Sequence, residues 1–383
     1  MNVFRRMAQG LLAGALIVGF ASPAFAAEPL TGVFDEPNPV TVQRVATAIG
    51  EVNVTTGVTT FVSAVETTDH ALRVQAYYVN SSDVLLGRDA ELGGVIKDAD
   101  IDRIGGNGLV VVAAHLSTNE MKLIAYDVTS GVNNREITRF PESTQPAFIK
   151  VVGDITINSV GSLNNSKFVT AVRNGNGTMR LDSWVYNPGE NKFTNLDTKL
   201  LNSNWGDFKM ISNYSRGWST FVTAHQNDQG NMVLTPWFLD QNGIMIKGNP
   251  VTRGVVQGFD LALSSNRLYS ASYTNLGVAQ VEYWEVDNTG NLTIKDIRGN
   301  LKGKDLQVFE MHDGKLIVVY NSLGSLDYQV MTKTGNTIEK TGDSVIMNKD
   351  AAGSFDGNFK DDRLFFGIKS SANKDLSHQL WKY

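Results

Sequence analysis

A carboxylate returns seven times at one place in an internally repeating chain: Glu51, Asp100, Asp154, Asp207, Asp260, Asp305 and Asp356. Each follows a small residue closely, as in Gly50-Glu51, Ala99-Asp100, Gly153-Asp154 and Gly206-Asp207, or in GFD (258–260), GKD (303–305) and GSFD (353–356). Carboxylates brought together repel one another, so they must be hydrogen-bonded, partly protonated or neutralised by a cation. Hard oxygen ligands suit Ca2+ or a protonated amine, whereas a transition metal would want His or Cys. A second reading is open. Asp also accepts hydrogen bonds from backbone N–H groups at a chain reversal, and a neighbouring Gly fits the turn.

A second set comprises the polar residues that lead out of one apolar strand per repeat: Glu66, His115, Arg173, Gln226, Tyr273, Asn321 and Lys369. The scaffold repeats while these side chains differ, which suits a recognition surface on rigid elements. A third candidate lies in 201–219, where Trp205, Tyr214 and Trp218 accompany Arg216 outside the repeat register. Such aromatics either pack a long loop or form a platform for a sugar or peptide. The five His residues form no HxH or HExxH spacing, and no GxSxG nucleophile motif occurs.

The elements that position these residues are legible in seven similar segments. FVSAVETTDHALRVQAYYVN (from Phe61), FVTAVRNGNGTMRLDSWVYN (from Phe168) and FVTAHQNDQGNMVLTPWFLD (from Phe221) show the pattern; others begin at Val110, Leu268, Leu316 and Leu364. Each reads as an apolar strand, a polar turn and an alternating strand. An aromatic column runs through Tyr77, Tyr126, Trp184, Trp237, Trp284, Val330 and Trp381, in steps of 46 to 58 residues. These rings are expected to pack between sheets, since one aromatic buries about 150–250 Å². A small-residue column runs through Ala64, Ala113, Ala171, Ala224, Ala271, Val319 and Gly367. Turns such as YNPGE (186–190) and VDNTG (286–290) lead to a further strand, and another precedes each segment, giving four antiparallel strands per repeat.

This pattern resembles seven-bladed β-propellers over residues 39–383. The resemblance implies that each first strand lines a central channel and that the seven acids ring one mouth. The GH and WD dipeptides of WD-repeat blades and the SxDxGxxW box of sialidases are absent, so it stops at architecture. The last repeat lacks an outer strand, and Val40–Ala48 is expected to supply it and close the ring. Residues 27–38, with Pro29, Gly32 and Pro37, read as a flexible leader.

Residues 1–26 read as a secretory signal peptide: Arg5-Arg6, an apolar run from Gly10 to Phe20, and Ala24-Phe25-Ala26 as the cleavage site. The apolar run is short of the ~20 residues a membrane span needs. The expectation is an exported chain, periplasmic or secreted, without a membrane anchor. Without Arg5 and Arg6 the chain carries 32 Lys and Arg against 39 Asp and Glu, an acidic balance that argues against nucleic acid as a partner. There is no Cys, hence no disulfide framework. The favoured function is a monomeric binding module for a protein, a glycan or a small cationic ligand. It needs no cofactor, though the acids could hold Ca2+. The alternatives are an enzyme of hydrolase, lactonase or quinone-dependent dehydrogenase type, and a scaffold in an envelope assembly; fold alone does not choose among them.

Overall fold

A computed structural model of the chain describes residues 31–53, 58–79, 85–105, 108–128, 137–140, 151, 155–160, 166–174, 177–201, 206–213, 219–287, 289–311, 314–322, 324–349, 352–360, 362–370 and 375–382. The signal-peptide reading, Asp154, Trp205 and Trp218 lie outside them. Every strand pairing is antiparallel, and no helix occurs among the described residues. The all-β expectation therefore holds.

Each repeat forms a meander. In one, Gly258–Ser264, Arg267–Tyr273, Val278–Val286 and Leu292–Lys302 lie side by side in a four-stranded sheet. The small-residue column lies opposite the first strand, as in Ala271 against Asp260, where a larger side chain would overpack the crowded inner edge. Hydrogen bonding joins the strands into five sheets rather than seven separate ones. Ten strands run together from Ala352–Lys360 to Thr138–Arg139, because two long strands each serve two neighbours. Thr31–Asn53 pairs through residues 31–41 with Asp375–Lys382 and through residues 42–53 with Val58–Thr67. Leu85–Arg103 bridges in the same way to Ala71–Val79 and Leu109–Leu116.

The N-terminal strand thus pairs with the last repeat, but the segment that does so is 31–41, not Val40–Ala48. Residues 31–38 are strand where a leader was expected. Pro37 misled the reading. It sits opposite Ser377 on a segment that, among the described residues, pairs on one side only, an edge position of the kind in which Pro is found. Register shifts at Gly32/Phe34 and Asn38/Thr41 further blur the alternation that marks a strand.

The core lies between consecutive repeats. Trp184 and Phe168 pack with Ile104 and Val111 of the preceding repeat, and Trp284 and Leu268 with Val222 and Leu234. At the seam between the last and first repeats, Phe365 and Leu380 pack with Phe61, Tyr77 and Val79. Three indoles repeat one bond. Trp184, Trp237 and Trp284 each donate Nε1–H to a hydroxyl fourteen residues earlier, on Thr170 (2.9 Å), Thr223 (3.0 Å) and Ser270 (3.1 Å). At the seam the imidazole of His378 bonds both Tyr77 Oη (2.6 Å) and Ser63 Oγ (3.0 Å). Burial drives its pKa down to about 3, so it is neutral there.

Candidate ligand-binding channel

The first strands converge on a channel whose side chains fall into tiers. Alternate residues of a strand share a face, so positions two apart stack along the channel. One tier sits opposite the small-residue column: Ala46, Asp100, Thr156, Lys209, Asp260, Gln307 and Asp356. Two residues earlier come Arg44, Asp98, Asp207, Gly258 and Asp305, which line a mouth chamber of about 390 Å³. Beyond the first tier lies a second chamber of about 290 Å³, reached by Asp102, Asn158 and Asn358. Asp100, Thr156, Lys209, Gln307 and Asp356 border both chambers and form a waist.

The six expected acids among the described residues do not form one ring. Asp100, Asp260 and Asp356 belong to the waist tier; Asp207 and Asp305 belong to the mouth. Glu51 lies toward the opposite end of its strand, between Ile49 (opposite Phe61) and Val52 (opposite Thr59), five residues past Ala46. A one- or two-residue offset in sequence is invisible by eye, yet it moves a side chain by a whole tier.

The waist carboxylates tie each repeat to the next. Asp100 Oδ2 accepts from Thr156 Oγ1 (2.8 Å) and Ile157 N–H (2.9 Å). Asp260 Oδ2 accepts from Val308 N–H (2.9 Å). Asp356 Oδ2 accepts from Thr47 N–H (2.6 Å) and Oγ1–H (2.8 Å), while its Oδ1 accepts from Gln307 Nε2 (2.6 Å). These three carboxylates do accept from backbone N–H groups, but the donors lie on the adjacent first strand and not in the chain reversal that was expected. The glycines beside the acids have a different task. A Cβ at Gly206 or Gly258 would collide with Gln226 or with the Tyr273 ring, so Gly makes room for the neighbouring strand's exit residue.

Sequence reading missed Lys209, which stands in the waist where three other repeats place Asp. Its ammonium is 3.9 Å from Asp260 and its side chain is 46% exposed, open to the channel but enclosed by protein. Burial opposes its charge; Asp260, Asp356, Asp100 and Asp207 outweigh that and raise its pKa. The chain thus supplies an amine of its own to an acidic channel. The signal was a lone cation at that register, FKMISN (208–213), but it required the register to be known. At the mouth, Arg44 pairs with Asp98 at 2.8 Å. Among the described residues no three metal-ligating side chains come together in a group that could hold a metal ion.

Burial pushes the Asp100 carboxyl up to about 7; the Asp356 charge adds to the rise, while the Ile157 and Thr156 hydrogen bonds oppose it. Such a group favours folding fully below the unfolded pKa near 4, and loses that contribution as pH rises through about 7. Asp100→Asn should therefore gain stability over wild type between pH 5 and pH 8, on the order of 1–3 kcal/mol. Thermal melts of both proteins across that range check this; a difference that does not change with pH would show Asp100 ionised throughout.

The variable exit residues are clasps. Arg173 donates to Gly206 O (2.5 Å) and Gln226 to Val256 O. Tyr273 Oη reaches Asp305 at 3.4 Å, Asn321 exchanges two bonds with the Ala352 backbone (2.9 and 3.0 Å), and Lys369 donates to Gln43 O (2.9 Å). Each of these five reaches the following repeat, and Lys369 of the last repeat reaches the first. Glu66 instead bonds His70 in its own hairpin (2.6 Å), and His115 is buried opposite Asp98. Only Tyr273 also lines the mouth, where burial and the charges of Asp305 and Asp207 raise its pKa.

No protein-family model matches this chain. No curated protein sequence matches it either. Solved structures do. The polysaccharide lyase Uly1 aligns with a TM-score of 0.56 at 9% identity, over 88% of this chain and 89% of its own. Sqt1 of Saccharomyces cerevisiae aligns with a TM-score of 0.53 at 12% identity, over 90% and 84%. A mutant of the Aleuria aurantia lectin, in complex with alpha-methyl-L-fucoside, aligns at 0.52 and 11%, over 82% and 99%. The chain is a β-propeller. At such identities the likeness shows the fold alone, and the propeller's chemistry has to come from its own channel.

Proposed function

We propose that this protein is an exported, monomeric recognition propeller of seven blades whose channel mouth binds a glycan terminus. Three observations support seven blades over five. The waist tier takes one residue from each of seven first strands, the two long strands each divide between two blades, and apolar clusters fill every junction between consecutive repeats, last to first included. Export rests on Arg5-Arg6, the apolar run and Ala24-Phe25-Ala26.

The observation that carries the ligand class is the mixed lining of the mouth. Arg44 and Lys209 donate, Asp98, Asp207 and Asp305 accept, and Tyr273 offers a ring edge and a hydroxyl. Sugar hydroxyls both donate and accept, so they match a wall holding both kinds of group. A chamber of about 390 Å³ has the size of a small-ligand site. A glycan array followed by calorimetry tests this. Asp207→Ala and Tyr273→Ala should each weaken the selected glycan by about tenfold or more, with melting temperatures unchanged for Asp207→Ala. Absence of any glycan binding, or affinity indifferent to both substitutions, would overturn the reading.

An enzyme reading draws on two channel carboxyls, because burial also raises Glu310, beside the second chamber, to about 7. Glu310, however, is already held by Arg267 at 2.5 Å. Binding without turnover is the better-supported reading, and incubation of selected glycans with the protein separates the two.

A further inference from the structure

The junction between the first and second repeats is built unlike the others. In each repeat one residue of the third strand lies opposite the position just before the small-residue column. Six repeats place a polar side chain there: Gln75, Asp182, Thr235, Glu282, Gln329 and Gln379. The second repeat places Ile124. Two of the six are carboxylates that hold an arginine, Asp182 with Arg180 at 2.7 Å and Glu282 with Arg253 at 2.8 Å. Lys122 stands at the register of Arg180, opposite Ala114 as Arg180 is opposite Val172. The second repeat thus carries the cation, but an apolar side chain where the third repeat has the carboxylate.

A groove of about 230 Å³ lies at that point and shares no lining residue with either channel chamber. Leu72, Ile96, Ala114 and Ile124 back it and are buried. Val95, which is 50% exposed, and the half-buried Leu116 give the apolar surface that a ligand can reach. Both charged residues of the lining are cations, Lys122 and Arg139, each partly exposed. In a chain of net charge −5 this is the reverse of the acidic channel. A hollow of this size admits an aromatic ring or a short acyl chain.

We propose that the groove is a second binding site, for a small apolar carboxylic acid. Its tail lies against Val95 and Leu116, and its carboxylate is held by Lys122 and Arg139, much as Asp182 is held by Arg180. An ammonium has three donors and a guanidinium five, so each cation can serve the acid while keeping a partner within the protein. The site stands apart from the channel reading and does not depend on it.

Calorimetry at pH 7 with octanoate, against 1-octanol and octylamine, tests the groove. Octanoate should bind saturably and about tenfold or more tighter than the alcohol, with octylamine weakest. Added salt should shrink the gap. Lys122→Met keeps an apolar stem and removes the charge. It should bring octanoate down to the affinity of octanol and leave octanol unchanged. Ile124→Asp installs the third repeat's carboxylate beside Lys122 and should abolish octanoate binding. Thermal melts show whether the variants fold; if Ile124→Asp does not, the partly exposed Lys122→Met decides alone. Octanoate that binds no better than octanol or octylamine, or a Lys122→Met protein that keeps the preference, would overturn the proposal. So would self-association of the wild type that Val95→Ser abolishes, since a second copy would then cover the groove.

Discussion

A chain lacking Thr31–Thr41 should fail to melt as a folded protein. Eight residue pairs join this segment to Asp375–Lys382. Without it the last repeat ends on an open edge, and the seam loses the strand that carries the chain from the last repeat into the first. Net backbone hydrogen bonds contribute about 0.5–1.5 kcal/mol each. Several of them together approach the ~5–15 kcal/mol that holds a domain folded. The seam also holds Phe365 stacked on Phe61 at 4.9 Å, and His378 bridging Tyr77 and Ser63, groups that a loosened junction would expose to water. Loss of the cooperative transition in circular dichroism, with rapid proteolysis, is the expected result. Adding a Thr31–Thr41 peptide in trans should restore part of the transition. A deletion protein that melts like wild type would mean the ring does not depend on this strand.

The repeat was legible because hydrophobic burial writes it in large letters. Phe61, Phe168 and Phe221 head strands that are buried almost throughout, and the aromatics opposite them fill the space between sheets. Polar positions were less legible, since their meaning depends on register. Asp207 and Asp260 look equivalent beside their glycines, yet one lines the mouth and the other the waist. Lys209, two residues after Asp207, was passed over for the same reason. Even the aromatic column slips in the sixth repeat, where Met331 rather than Val330 lies opposite Leu316. The exit residues misled differently. Their variety suggested a free surface, but Arg173, Gln226, Tyr273, Asn321 and Lys369 each answer a different local geometry on the next repeat. Variation under a repeating fold can record how each junction is stitched as well as what is recognised.

The second large effect is expected at Trp237. Its side chain is 1% exposed, lies parallel to Phe221 at 5.9 Å and 5°, and donates to Thr223. Trp237→Ala should destabilise the protein by ~3–5 kcal/mol, through lost transfer energy and the cavity left between two sheets. Trp237→Phe keeps part of the packing and leaves Thr223 Oγ1 without its indole donor, so it should cost less than Trp237→Ala. Trp184 and Trp284 share the burial and the bond and should behave alike. Trp381 does not. It is only partly buried and bonds Gln379 two residues away, so Trp381→Ala should cost clearly less than Trp237→Ala. Urea denaturation followed by circular dichroism measures all of these. Equal, small losses at Trp237 and Trp381 would mean the column does not carry the junctions, and a ligand-stacking role for the indoles would have to be considered. If the structural role holds, a ligand bound in the channel should leave affinity in Trp237→Phe near the wild-type value, because the ring lies between blades and borders neither chamber.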